Sequence, residues 1–181
     1  MAPPLPVTPV KRLVALLWAD AACRDEALDE LSRSFGPYDF QGGDHPFDQT
    51  DYYVAEMGAG QWRRLVSFAP LMAPESLADD KLLCNALEDR LAVDGQRRVN
   101  LDLGYLDLSK VVLASLKHAG QKIALGRGVY ADLVARYAQG RYRPFEWTFP
   151  DFRDGRYDGE LAEIRARLRQ QLRARSHETP G

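Results

Sequence analysis

Histidine and cysteine are scarce in this chain, with three and two copies in 181 residues. A structural zinc site draws four nitrogen or sulfur ligands from short, regular spacings. His45, His118 and His177 stand alone, and Cys23 and Cys84 form no Cys-x-x-Cys unit, so the pattern excludes zinc as the expected metal. Both cysteines fall in apolar helical patterns, where a thiol serves as a small buried side chain rather than half of a disulfide. No Gly-x-Ser-x-Gly elbow accompanies the histidines, which disfavours a nucleophilic hydrolase. Long apolar runs are also missing: the segment from Val10 to Trp18 is about half the length a membrane helix needs. Nor is there an excess of positive charge. The 24 Lys+Arg against 26 Asp+Glu leave a net −2 and a pI of about 5.9. A chain that displaces phosphate counterions through its bulk charge shows a basic excess, so nucleic acid is disfavoured as a partner at this level.

What is present is a composition of one ordinary folded domain, 45% hydrophobic and 28% charged. Residues 1–9 carry four prolines and no signal-like run. They read as a disordered leader, and the protein as cytoplasmic with no membrane association. A single domain is expected over 10–175, followed by a disordered tail at 176–181.

The run from Val10 to Trp18 predicts a buried strand. Asp20 is placed to cap a helix carrying Ala27, Leu28, Leu31 and Phe35 on one face, ended by Gly36-Pro37. Tyr38 to Phe47 predicts a second extended segment broken at Gly42-Gly43, and Trp62 to Phe68 a third strand. Pro74-Glu75 opens a second helix, in which Leu83, Leu87 and Leu91 recur every four residues until Asp94-Gly95. Arg97 to Asp102 alternates as a half-buried strand does. Strand, helix, strand, strand, helix, strand predicts an α+β domain: a mainly antiparallel sheet in a ferredoxin-like (split βαβ) arrangement, with two helices on one face. Val111 to Leu116 suits helix or strand. Val129 to Ala138 and Arg141 to Phe149, around Gln139-Gly140, predict a hairpin that extends the sheet. A closing helix carries the stripe Leu161, Ile164, Leu168 and Leu172, with Arg165, Arg167, Arg169, Arg173 and Arg175 on its other faces.

Three segments could carry chemistry. In His45 to Tyr53 with Glu56-Met57-Gly58, the carboxylates Asp48, Asp51 and Glu56 can coordinate a hard cation or orient a proton transfer, while Tyr52 and Tyr53 offer flat rings. The plainer alternative is that the rings staple a crossover to the sheet and the acids cap turns. In Arg97 to Lys110, strand alternation places Arg98, Asn100 and Asp102 on one face as a polar floor, with Lys110 available to an anionic group. Against that stands a solvent-facing strand with a weak surface ion pair. In Leu125 to Tyr130, Arg127 lies between Gly126 and Gly128, which suits a phosphate or carboxylate, but no Gly-x-Gly-x-x-Gly motif is formed and a plain turn is the favoured reading.

The chain resembles the domain of unknown function 4416 family of small prokaryotic proteins over Val10 to Arg153. The resemblance is carried by Pro46-Phe47-Asp48-Gln49-Thr50-Asp51-Tyr52-Tyr53, Glu56-Met57-Gly58, Arg98-Val99-Asn100-Leu101-Asp102 with Gly104-Tyr105, Leu108-Ser109-Lys110, Gly126-Arg127-Gly128-Val129-Tyr130 and Trp147-Thr148-Phe149-Pro150-Asp151. Gln49 stands where an aromatic is usual, which weakens stacking there, and Leu103 where proline is. The resemblance implies a self-contained cytosolic domain and brings no activity with it.

The leading expectation is a polar, aromatic-lined cleft that binds an anionic small molecule, a nucleotide or other phosphoester, with or without a divalent cation such as Mg²⁺. Asp48, Asp51 and Asp102 would handle the cation or a proton. Arg98, Lys110 and Arg127 would hold the anion, with Arg63 and Arg64 as further cations nearby in the sequence pattern. Tyr52, Tyr53 and Tyr105 would stack, and Glu56 and Asn100 complete the lining. Whether catalysis follows binding is open. One rival is a non-catalytic module whose aromatic loop and arginine-bearing final helix meet a partner protein or a second copy, an association that polar substitutions at Leu168 and Leu172 would break. Another is RNA binding on the sheet face, where Arg141, Arg143, Phe145 and Trp147 partly alternate.

Overall fold

Strand β1 (Val10–Trp18) is buried at every position except Arg12. A near-continuous apolar strand needs cover on both faces and neighbours on both edges, and β1 has them. It pairs antiparallel with β4 (Trp62–Met72) on one side and with β5 (Val99–Leu106) on the other. The computed structural model describes residues 3, 5–50 and 52–178. Outward from β4 comes β2 (Tyr38–Gln41); beyond β5 come β6 (Lys110–Ser115), β8 (Val129–Ala138) and β7 (Ile123–Gly126). The short β3 (His45–Pro46) pairs with β4 and β9 (Arg141–Pro144) with β8, and all these pairings are antiparallel. The order β2-β4-β1-β5 is the split βαβ arrangement, since each helical crossover links strands separated by one intervening strand.

Two layers of helix sandwich this sheet. On one face, helix α1 (Ala21–Phe35) presents Cys23, Ala27, Leu31 and Phe35, and helix α3 (Leu77–Leu91) presents Leu77, Cys84, Leu87 and Leu91, to Val14, Leu16 and Leu101. Asp20 caps α1 as expected, accepting from the Ala22 N–H at 2.9 Å. Both thiols are free and buried, and burial pushes Cys84 up to about 12. On the opposite face, α5 (Asp158–Glu178) lays Leu161, Ile164 and Leu168 onto Leu13, Ala15, Leu65 and Leu113. The stripe, expected to dock on the domain or on a partner subunit, packs on the chain's own core, with Leu172 at its margin. The centre of the sheet is covered, while the residues named for RNA, Arg141, Arg143, Phe145 and Trp147, lie in and just after β9. The helix continues through 176–178, past the point where a tail is expected.

Three local expectations shift. In α3, Leu83 is 37% exposed, whereas Lys81 and Glu88 turn inward. The reason lies in β5, which meets β6 only from Gly104 onward. Leu101 on the bare stretch is satisfied instead by side chains: its N–H donates to Glu88 Oε1 at 2.6 Å, and Lys81 Nζ donates to its carbonyl at 2.9 Å. The segment left open between helix and strand is β6. Finally, β9 stops at Pro144, and Thr148 closes the turn after it by donating to the Val134 carbonyl at 2.6 Å and accepting from the Phe145 N–H.

Candidate functional site

Along β1, Leu17 lies between Arg63 and Asn100, and one rung further on the sheet face toward α5, Ala15 lies between Leu65 and Asp102. The small Ala15 side chain leaves room for the Arg63 guanidinium to cross to Asp102. Arg63 is 1% exposed; Nη2 donates to Asp102 Oδ2 at 3.0 Å and Nη1 to Asp151 Oδ2 at 2.7 Å. The Tyr157 hydroxyl donates to the same Asp151 oxygen at 3.0 Å. Asp151 is 0% exposed and belongs to the single turn α4 (Pro150–Arg153), which Pro150 opens. Phe47 lies 4.4 Å and Phe149 5.9 Å from the guanidinium carbon.

Neighbouring groups extend the cluster. Arg97 donates to Asn100 Oδ1 at 2.7 Å and approaches Glu56 at 3.5 Å and Glu88 at 3.7 Å. Burial, then the Asp102 carboxylate, pushes the Tyr53 phenol up; burial, then Asp151, does the same to Tyr157. Both therefore stay protonated. Burial opposes the charge on Arg63, but Asp102 and Asp151 outweigh it and hold it cationic. Three segments that carry the family resemblance meet here: the loop with Phe47 and Tyr53 leading into the short helix α2 (Val54–Met57) with Glu56, the strand with Asn100 and Asp102, and the turn with Phe149 and Asp151. Chemically the cluster is acid-rich, with Arg63 and Arg97 set against Asp102, Asp151, Glu56 and Glu88. The Arg63 guanidinium is held between two carboxylates and the phenols are protonated, so the cluster ties loops together and offers little to an anion. Arg63 Nε, Asn100 Nδ2 and Asp151 Oδ1, two donors and one acceptor, have no hydrogen-bond partner among the described residues.

The other candidate residues go elsewhere, so the expected gathering of three polar segments in one hollow is corrected. Asp48 is exposed, accepting from Gln49 and lying 3.7 Å from Arg156. Asp51 lies outside the described residues. Tyr52 meets the Lys117 ammonium through its hydroxyl and its ring. Arg98 precedes β5 and pairs with Asp20 at 3.0 Å. Tyr105 packs on the α1/α3 face, with Lys110 5.9 Å from its ring and paired to Asp107 in the β5–β6 turn. Arg127 pairs with Asp79 of α3 in the open. Gly126, Arg127 and Gly128 all have positive φ (94°, 55° and 77°), which is a tight β7–β8 turn rather than a phosphate cradle. Arg64 pairs with Asp44 at 2.7 Å. Among the described residues no three His, Cys, Asp or Glu side chains come together to hold a metal ion, and Asp102 is engaged by Arg63.

A groove of about 510 Å³ opens at the β8–β9 hairpin, lined by Arg136, Arg141, Arg143, Arg153, Phe145 and Trp147, with the carboxylates Glu146 and Asp158 also on its wall. The two-residue turn Gln139-Gly140, with φ of 53° and 85°, sets Arg136 directly across from Arg143. Phe145 and Trp147 stack in parallel, centroids 4.7 Å apart. The indole is anchored by Nε1 donating to the Leu133 carbonyl at 2.9 Å, yet Trp147 is 41% exposed. Arg141 pairs with Asp158 at 2.9 Å, and Arg153 donates to the Glu146 carbonyl at 3.1 Å. Arg136 has no hydrogen-bond or ionic partner among the described residues. Sequence reasoning singled out Arg141, Arg143, Phe145 and Trp147 but missed Arg136 and Arg153; counting back across the two-residue turn would have found Arg136.

No helix among the described residues is long and apolar enough to cross a membrane. Comparison with curated proteins and with solved structures finds no match. A family model described as Domain of unknown function (DUF4416) matches residues 8–168, from just before β1 into α5. The segments that converge on Arg63 fall within that span, and the chain belongs to the domain of unknown function 4416 family.

Proposed function

We propose that the protein binds an anionic small molecule with an aromatic ring, a nucleotide or related phosphoester, and that it does so in the hairpin groove rather than at Arg63. The observation that carries this reading is the pairing of an unengaged guanidinium, Arg136, beside Arg143, with an exposed and anchored indole, Trp147, in one groove. A guanidinium fork matches phosphate oxygens, and base stacking on an aromatic ring contributes about 1–3 kcal/mol. At Arg63, by contrast, two carboxylates already occupy the cation.

Titration with nucleotides, followed by tryptophan fluorescence and melting temperature, tests this. Trp147 should report binding, and Trp147→Phe should abolish the signal that Trp18 and Trp62 do not carry. Arg136→Ala with Arg143→Ala should weaken binding at least tenfold. If nucleotides move neither signal, or bind the double variant unchanged, the reading fails.

A further inference from the structure

We infer that the natural ligand of the hairpin groove is one end of a single-stranded nucleic acid, whose backbone continues along α5 over Arg169 and Arg173. This rests on the reading of the hairpin groove as a nucleotide site and goes on to name its substrate class. A second groove, of about 380 Å³, runs along α5 and is lined by Tyr137, Ala162, Arg165, Ala166, Arg169 and Arg173, among others. The hairpin groove reaches Asp158. Asp158, Ala162, Ala166, Arg169 and Arg173 follow one another at steps of four, four, three and four, which is one face of a helix. No residue lines both grooves; their nearest lining positions on α5 are Asp158 and Ala162, one turn apart on this stripe.

The second groove has the character of a track for phosphates. No acidic residue lines it. Carboxylates of the same helix are spent elsewhere, Glu160 on His45 and the Gly43 N–H, Glu163 on Arg167. Arg165 is fixed, lying 3.6 Å over the Tyr137 ring and donating to the Leu108 carbonyl. Arg169 and Arg173 are exposed and have no partner among the described residues. One helical turn apart, they are separated by about 6 Å along the axis, the order of the step between phosphates of an extended strand. Ala162 and Ala166 keep the floor between the arginines low. An exposed indole at one end of such a track selects unpaired bases, because a base in a duplex has no free face to stack. The net charge of −2 does not oppose this, since charges more than about 8 Å away are largely screened at physiological salt.

The test is fluorescence anisotropy of full-length protein with a labelled RNA decamer, its DNA counterpart and a labelled mononucleotide, from 50 to 300 mM salt, with anionic phospholipid vesicles alongside. Wild type should bind a decamer at least tenfold more tightly than the mononucleotide; the RNA and DNA arms identify the sugar. Arg169→Glu with Arg173→Glu, both on the surface, should reduce decamer affinity to the mononucleotide level and leave mononucleotide binding intact. Loss of two phosphate contacts should lower the salt slope by about 1.4. Circular dichroism verifies that the variant is folded, and Arg169→Gln with Arg173→Gln serves as the milder pair. The inference is overturned if decamer and mononucleotide bind equally, if the helix variants leave decamer affinity unchanged, or if vesicles bind and decamers do not. Mononucleotide binding that survives such a result leaves the hairpin reading standing; loss of both ends both.

Discussion

Replacing Arg63 by methionine keeps approximately the side-chain volume and removes the charge on which two carboxylates depend. The side chain of Asp151 is 0% exposed and that of Asp102 16%, so the variant strands one fully buried anion and one nearly so. Removing one partner of a buried ion pair costs about 3–5 kcal/mol. One cation here serves two anions, which places Arg63→Met near the top of that range. With a urea slope near 2 kcal/mol/M, the midpoint should fall by roughly 2 M. Adding Asp151→Asn to Arg63→Met should recover part of the loss, because the amide carries no charge to strand. Urea denaturation of the three proteins at neutral pH decides it. A midpoint shift below roughly 0.5 M, or a double variant no more stable than Arg63→Met, refutes the view of Arg63 as the shared counter-ion of Asp102 and Asp151.

Further perturbations probe the frame. A Cβ on Gly104 would lie 2.1 Å from the Val112 carbonyl oxygen and 3.0 Å from Leu113 Cα. Both are backbone atoms at the point where β5 and β6 join, so Gly104→Ala should cost about 3 kcal/mol in chemical denaturation; unchanged stability would overturn that register. Gly36 ends α1 with φ of 90°, and a Cβ there would approach Pro70 Cγ at 2.9 Å. Gly36→Ala should cost about 2 kcal/mol and lower the melting temperature by about 4–8 °C; a melt within 1 °C of wild type, on the order of the error in such shifts, would contradict it. Burial raises Glu88 above the ordinary carboxylate range, so its contribution is present below the unfolded pKa and lost as pH rises. Glu88→Gln, which keeps an acceptor for the Leu101 N–H, should gain stability relative to wild type between pH 4 and pH 8. A gap that moves the other way in urea titrations would refute the burial argument.

Much of the fold was legible because its signals are local. Asp20 before an apolar stripe and Gly36-Pro37 after it bound α1 without reference to anything distant. The stripe of α3 misled, because Lys81 and Glu88 face inward to serve a strand edge that nothing in their own helix announces. The candidate site was legible in part. Tyr53, Glu56, Asn100 and Asp102 stood out as polar groups in patterned segments, and they do meet. Asp151 passed as one acid among many, since its meaning depends on Arg63, 88 residues earlier. Lys110 and Arg127 were assigned to the same hollow on residue type alone, and their nearest acids, Asp107 and Asp79, claimed them first.

By itself, the sequence determined the main strands and helices from β1 to β5 and the split βαβ arrangement they form. Strand and helix periods, caps and breakers act over a few residues and leave their mark in the chain. Only the tertiary structure decided that α5 closes the second face of the sheet, that Arg63 is neutralised from both sides, and that Arg136 stands unengaged beside Arg143 and Trp147. Burial, desolvation and charge pairing are set by whichever groups arrive from elsewhere in the chain, and that arrival is a property of the packed molecule.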